Sequence, residues 1–302
     1  MRTIRVRVPG STSNLGAGFD CIGLALDRYL TATLHVADTP LEIDRRGTLA
    51  SVSEEVAHDL VNAAARARGC ELRGHLELDA DIPVGRGLGS SAAAAVAGLM
   101  LAGVLQGEEF ERQVVAARAT SLEGHPDNAV PAAFGGLMAA VTETNGNAER
   151  VHVHRLRLSD RLRFAYAAPQ AIISTKSARR TLPENVTHAA ATRSLARVIA
   201  LIEGLADADP ELLRIGFMDE LHVPYRLPLI PGGEAAMQAA REAGAFAATI
   251  SGSGSGLIAV CAGGAQHDVA NAMREVFERA TAAEAIDFAA EPELNGAQFM
   301  DQ

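Results

Sequence analysis

The chain has 302 residues, 48% of them hydrophobic, enough to bury a sizeable core and, at this length, to form two domains. Its 27 Lys+Arg against 37 Asp+Glu leave a net charge of −10, which argues against nucleic acid or an anionic membrane as a general partner. Three cysteines, Cys21, Cys70 and Cys261, stand far apart and suit reduced thiols in a cytoplasmic protein, each read as a small apolar residue.

The N-terminus alternates charge and apolarity over Ile4, Val6 and Val8, which predicts a strand ending at Pro9 and contains no signal-peptide core. Residues 9–20 are dense in Gly, Ser, Asn and Asp and read as a long loop. It either satisfies its own backbone or borders a small polar ligand. One or two strands follow over residues 24–36. Ser53 is a fair N-cap for a helix over residues 54–68 that stops at Gly69.

Residues 76–82 read as a short strand. It feeds Pro83-Val84-Gly85-Arg86-Gly87-Leu88-Gly89-Ser90-Ser91, which runs into Ala92, Ala93 and an apolar helix to about residue 107. Glycines at alternate positions allow backbone conformations closed to other residues, so their N–H groups can turn towards one point. The exposed N–H groups at the following helix start favour an anion. The stretch therefore reads as a phosphate cradle, with an ordinary Gly-rich turn as the rival reading. Its apolar run of residues 92–105 is too short to span a bilayer and suits tight internal packing. The one lysine, Lys176, is distant in sequence, so neither a Walker A loop nor a protein-kinase strand lysine is available. Any phosphate must be held by backbone amides, hydroxyls and a metal ion.

A helix is expected over residues 110–121, followed by Glu123-Gly124-His125-Pro126-Asp127-Asn128. Glu123 and Asp127 are hard oxygen donors suited to Mg²⁺, although the cluster also reads as a helix-end loop. Strands are expected over residues 137–141, 151–156 and 162–168, with a turn at Asn145-Gly146-Asn147 and a domain boundary near residue 160. His152 and His154 share a strand face, read as solvated rather than metal-binding. Residues 176–183, with Arg179 and Arg180, form a positive turn, either solvated or a grip for carboxylate or phosphate. Helices are predicted over residues 186–205, 210–220, 234–243 and 268–280. A Pro-rich bend over residues 221–231 holds Tyr225 and Arg226. Strands at 246–250 and 257–262 flank a second glycine loop, residues 251–256, and residues 291–302 read as a loose tail.

These segments, in this order, resemble the GHMP kinases, small-molecule kinases acting on galactose, homoserine, mevalonate and phosphomevalonate. Residues 83–93 are similar to their ATP loop. Ser13-Asn14-Leu15-Gly16 with Gly18-Phe19-Asp20 is similar to the substrate loop of members acting on homoserine; Glu123 to Asn128, Ala178-Arg179, Tyr225-Arg226 and residues 250–256 also match. Gly10, Ala17 and Gly256 depart from the common pattern, and none removes a charged or hydroxyl group. The resemblance implies an α+β fold of two domains: residues 1–160 binding ATP, and residues 161–302 of ferredoxin-like type, with substrate between them. It implies phosphorylation of the side-chain hydroxyl of L-homoserine on the route to threonine. The nucleotide would be held by residues 83–93, that is Pro83, Val84, Gly85, Arg86, Gly87, Leu88, Gly89, Ser90, Ser91, Ala92 and Ala93. Mg²⁺ would be held by Ser91 and Glu123. Arg179 and Arg226 would grip the substrate carboxylate, Asp20 its ammonium, and Asn14 and Asn128 its hydroxyl end, with Gly254 nearby. Asn128 stands where mevalonate kinase carries a basic aspartate, and an amide is no base at neutral pH; Asp127 is read as holding His125 or the loop. The resemblance suggests a second copy of the chain as the one protein partner.

Three other readings stay open on the residues alone. One is a sibling kinase for another small alcohol such as an isoprenoid precursor, against which the paired arginines and Asp20 speak. Another is a non-catalytic sensor on the same scaffold, which has no need of both Ser91 and Glu123. The third is a dinucleotide oxidoreductase, whose Gly-x-Gly-x-x-Gly would need glycine at position 90, where Ser90 stands.

Overall fold

Pro9 does not end the first strand. In the computed structural model, which describes residues 2–52, 60–145 and 148–301, strand β1 (Arg2–Asn14) runs through it. The pairing with β2 (Gly18–Val36) shifts register between Pro9 and Gly10, a bulge that absorbs the missing N–H of proline. The expected loop over residues 9–20 is thus mostly strand, and the chain reverses in a tight left-handed turn through Asn14, Leu15 and Gly16, at φ of 73°, 45° and 74°. A Cβ on Gly16 would lie 2.5 Å from the Phe217 Cα, so the turn sits directly on the second half of the chain.

Strand β3 (Glu42–Gly47), which the sequence pattern does not announce, pairs in parallel with β4 (Gly74–Ala80). Helix α1 (Leu60–Ala67) is described from Leu60 onward; Ser53 and the start of the expected helix lie outside the described residues. After β4 come α2 (Ser90–Leu105), α3 (Arg112–Glu123) and α4 (Pro126–Phe134). Helix α2 is buried on nearly all sides because its residues are small: a Cβ on Gly98 would stand 2.0 Å from the Val61 carbonyl of α1. Strands β5 (Leu137–Asn145) and β6 (Ala148–Arg155) form a hairpin whose tip, Gly146 and Asn147, lies outside the described residues.

The chain then enters a second sheet through β7 (Leu162–Ala168). Next come α5 (Thr175–Arg180), where a turn was expected, α6 (His188–Asp207), α7 (Pro210–Gly216), α8 (Val223–Arg226) and α9 (Gly233–Glu242). Strands β8 (Ala245–Ile250) and β9 (Leu257–Ala262), helix α10 (Gln266–Thr281) and β10 (Ile286–Ala290) complete this half. Its four strands run in the order β10-β7-β9-β8, all antiparallel. A β-α-β-β-α-β succession in that order is the ferredoxin-like arrangement. Strand alternation assigns the two faces of this sheet. Phe164, Tyr166 and Ala168 join the core shared with the first sheet, while Ala165 and Ala167 join a smaller core with α9 and α10.

Residues 291–302 are not a loose tail. The chain returns to the first sheet, where β11 (Gln298–Phe299) pairs with β1 and completes seven strands. Glu293 is buried, its carboxylate accepts from the Asn295 and Gly296 amides, and its backbone bonds Ala25 and Gly136. Composition alone, polar with Gly and Asn, hid this because the bonding partners lie in β2 and after α4. Among the described residues no helix is long and apolar enough to cross a membrane.

Candidate active site

The glycine loop between β4 and α2 is pinned by its carbonyls, which leaves its amides open. Ser11 N–H donates to the Leu88 carbonyl (3.0 Å), Ser251 Oγ to that of Gly87 (2.6 Å), and Tyr166 OH to that of Arg86 (2.7 Å). Gly85, Gly87 and Gly89 all have left-handed backbones, at φ of 69°, 76° and 63°. At Gly87 nothing larger fits, since a Cβ would stand 1.8 Å from the Ser251 carbonyl oxygen of the second glycine loop. Among the described residues, the N–H groups of Gly87, Gly89, Ser90 and Ser91 find no protein acceptor, and all four residues line one cleft. Unpaired amides at a helix N-terminus are the donor set that phosphate oxygens satisfy. The residues therefore fit a nucleotide's phosphates.

Ser91, in the first turn of α2, donates to Glu123 Oε1 at 2.5 Å. Glu123 is the last residue of α3, where Gly124, at φ 81°, turns the chain towards α4. Burial pushes the Glu123 pKa up, partly offset by the Ser91 hydroxyl and by His125. A hydroxyl and a carboxylate in contact at the end of an amide cradle are hard donors of the kind Mg²⁺ prefers. Next to them, His125 Nδ1 and Asp127 Oδ1 are 2.5 Å apart. Burial lowers the His125 pKa, but Asp127, aided by Asp20 and Glu123, more than reverses this and leaves it raised. Asp127 is thereby engaged with His125.

Asn128, in the first turn of α4, is buried and tied into the protein at both ends of its amide. Its Nδ2 donates to the Ser11 carbonyl and hydroxyl (3.0 Å each), and its Oδ1 accepts from Ser13 Oγ (3.1 Å). Asn14 is likewise engaged: Nδ2 donates to the Gly252 carbonyl (2.8 Å) and Oδ1 accepts from the Asp20 amide (2.9 Å). Asn14 thus fastens the β1–β2 turn to the second glycine loop, and both asparagines line the cleft.

Facing this wall are residues from the second half of the chain: Ile172, Ile173, Ser174, Thr175, Arg179, Arg226, Gly252 and Ser253. The expectation that Arg179 and Asp20 would hold opposite ends of a ligand meets a direct contact. Arg179 pairs bidentately with Asp20, at 2.7 and 3.0 Å, and this pair raises the Arg179 pKa. Arg226 is different. It is 2% exposed, its Nη1 donates only to the Gly252 carbonyl (3.2 Å), and its Nε has no partner. Among the described residues no carboxylate lies within ion-pair distance of it, and burial pulls its pKa down.

Phe19, quoted in the sequence motif but given no role there, organises the charges. Its ring lies 5.1 Å from the Arg226 guanidinium, 6.0 Å from that of Arg179, and stacks on His222 at 5.0 Å. His222 is fully buried between the Gly16 carbonyl (3.1 Å) and Asp219, which holds the turn into α8 through three backbone amides.

Five residues expected at the cleft do not line it. Arg86 spends its guanidinium on the Pro169 and Gln170 carbonyls (3.0 and 3.1 Å), so it braces the loop against the end of β7. Gly254 does not line the cleft; its neighbours Gly252 and Ser253 do, because the loop turns Gly254 towards Ile230. Pro83, Ala92 and Ala93 also stand behind the lining, which Val84, Gly85 and residues 87–91 form.

Comparisons with known proteins agree with this arrangement. The family description "GHMP kinases N terminal domain" matches residues 49–136, and "GHMP kinases C terminal" matches residues 201–279. The homoserine kinase of Moorella thermoacetica is 40% identical over 91% of this chain and 92% of its own length. That of a Synechococcus strain is 37% identical over 92% and 90%. The crystal structure of homoserine kinase from Cytophaga hutchinsonii superposes with a TM-score of 0.84 at 26% identity, covering 99% of this chain and 98% of that one. Two matched domains, one on each side of the cleft, and relatives aligned along nearly the whole chain lead to one assignment: the chain belongs to the GHMP kinase family, in its homoserine kinase branch.

Proposed function

We propose that the protein transfers the γ-phosphoryl group of ATP to the side-chain hydroxyl of L-homoserine, giving ADP and O-phospho-L-homoserine. In this reading residues 1–160 hold the nucleotide and residues 161–302 close over the second substrate. The observation that carries the acceptor's class is Arg226, a buried guanidinium with one backbone carbonyl and, among the described residues, no carboxylate partner. A buried cation is costly unless an anion joins it, and a guanidinium fork suits a carboxylate. Beside it the Asp20–Arg179 pair offers one group of each sign. A zwitterion can share that pair, its carboxylate between Arg226 and Arg179 and its ammonium on Asp20.

The amides of Gly87, Gly89, Ser90 and Ser91 would take the donor's β- and γ-phosphate oxygens, with Ser91 Oγ and Glu123 holding Mg²⁺. The ion would supply charge neutralisation between the phosphate oxygens. Asn128, held rigid by Ser11 and Ser13, keeps one acceptor lone pair on Oδ1 for a substrate hydroxyl. Asp127 is committed to His125 and so does not stand ready as a base there. A loose transition state needs little basic help, so alignment and charge carry the step. The same reading makes the protein cytoplasmic, with a second copy of the chain as its protein partner.

The test is an ADP-release assay over a panel of small alcohols. L-homoserine should be preferred, with L-homoserinol, which keeps the ammonium but lacks the carboxylate, poor. Arg226→Ala should raise the KM for L-homoserine by a factor equivalent to about 2–5 kcal/mol while leaving that for ATP nearly alone. Equal use of homoserinol and homoserine by the unmodified enzyme, or better turnover of mevalonate, would overturn the amino-acid reading.

A further inference from the structure

The first sheet carries a second cluster of chemically able side chains, none of which lines the cleft. His35 on β2 and His75 on β4 stand directly opposite one another in antiparallel register. Their rings stack with centroids 6.0 Å apart and planes 16° from parallel. Glu77 lies two residues further along β4, so strand alternation returns it to the same face. Glu77 Oε1 is 3.4 Å from His35 Nε2 and 4.0 Å from His75 Nδ1, and one ligand atom from each of the three residues lies within 4.8 Å of the others. A tetrahedral ion with bonds of about 2.0–2.2 Å holds its ligands about 3.3–3.5 Å apart. Of the three pairs, His35 with Glu77 is already at that spacing, His75 with Glu77 needs less than about 1 Å of side-chain adjustment, and the two imidazole nitrogens, within 4.8 Å of one another, need at most about 1.5 Å.

The outer contacts favour ligation. The His35 nitrogen turned away from Glu77, Nδ1, meets the Thr3 hydroxyl at 3.2 Å; the His75 nitrogen turned away, Nε2, meets Asp44 Oδ2 at 3.2 Å. A proton on each of those outer nitrogens leaves the two inner ones as lone-pair donors facing Glu77. Such a carboxylate or hydroxyl behind a ligating imidazole is the usual means of fixing its tautomer and orientation. Arg46 Nη1 holds the other Glu77 oxygen, Oε2, at 3.1 Å, which leaves Oε1 for the inner side. Cross-strand ion pairing alone would call for one histidine against one acid. Two imidazoles converging on a single carboxylate oxygen exceed that need.

We propose that His35, His75 and Glu77 form a binding site for a borderline divalent transition metal ion, of the class of Zn²⁺, Co²⁺ and Ni²⁺, with the remaining positions filled by water. Two imidazoles and one carboxylate suit these ions and not Mg²⁺, which prefers oxygen donors alone. The site ties β2 to β4 on the sheet face and stabilises the folded state by mass action. It takes no part in phosphoryl transfer.

The test uses the full chain with Mg²⁺ in excess, titrated with Co²⁺ and followed by the visible absorption of the bound ion. One equivalent should bind, Zn²⁺ should displace it, and Zn²⁺ should raise the thermal midpoint. His35→Gln and His75→Gln should each weaken Co²⁺ binding at least tenfold and abolish the thermal shift, while kinase activity, which also reports folding, stays unchanged. Arg46→Ala should retain Co²⁺ binding. Failure of the unmodified protein to bind Co²⁺, or an equivalent that survives the His35→Gln, His75→Gln double variant, would overturn the site and leave ordinary cross-strand polar pairing.

Discussion

In the proposed function Glu123 combines two properties that pull against each other: it would have to be ionised to hold Mg²⁺, yet burial raises its pKa. The sign of the pH effect follows. A raised pKa keeps the proton on as pH falls from neutrality sooner than on an exposed carboxylate, so Mg²⁺ affinity should decline on the acid side above the usual carboxylate range. Isothermal titration of the ATP complex with Mg²⁺ across pH measures this, and a decline placed at the ordinary carboxylate range would contradict it. Glu123→Gln should cut turnover at least about 10²-fold, a barrier increase of about 2.7 kcal/mol, with the thermal midpoint little changed. At this scale much of the site was legible. Ser91, Glu123, Asp127, Asn128 and both arginines have chemistry that their neighbours in sequence make conspicuous. Phe19 and His222 were not, because an aromatic ring and a lone histidine look like core until the two arginines converge on the ring. The engagement of Arg86 was hidden for the same reason, its acceptors being carbonyls of residues 169 and 170.

The glycine loops show what an element can be asked to do by geometry alone. Gly87 has φ of 76° and would bring a Cβ to 1.8 Å from a fixed backbone oxygen, whereas Gly107, at φ 72°, has nothing within 4 Å of its virtual Cβ. Gly87→Ala should therefore pay both a left-handed backbone term of roughly 1–2 kcal/mol and a forced separation of the two loops; Gly107→Ala should pay the backbone term only. Calorimetry and the KM for ATP distinguish them: Gly87→Ala should lower the thermal midpoint more and raise the KM, while Gly107→Ala leaves the KM unchanged. Equal behaviour of the two would show that the loops are free to part. Most strands and helices of the second half followed their apolar period closely; the exceptions there were α5, expected as a turn, and β10, which no reading announced. The other failures were at β1 beyond Pro9, at β3 and at the tail. There the segments are polar, and their structure comes from hydrogen bonds to partners remote in sequence, which periodicity does not register.

At the scale of the whole molecule, the two sheets share a core and are tied together further at the cleft and through the returning C-terminal segment. That segment contributes backbone bonds from Asp27 to Glu291, from Glu293 to Ala25 and from Met300 to Arg5, and Phe299 packs edge-on against Phe110 at 5.4 Å. Removing residues 291–302 should cost about 2–5 kcal/mol, at about 1 kcal/mol for each hydrogen bond lost, a large share of a domain's net stability. Thermal unfolding followed by circular dichroism checks this; a truncated protein that melts with the parent would mean the segment merely rests on the surface.

The strand that seals the first sheet also sets an order of events during synthesis. A ribosome making this chain delivers β1, the glycine loop and Glu123 early, but the partner that covers the outer edge of β1 emerges only after the entire second half has been made. Until then β1 offers an unpaired edge, open to the wrong strand of a neighbouring chain. The half of the molecule that carries the proposed phosphate cradle is begun first and closed last.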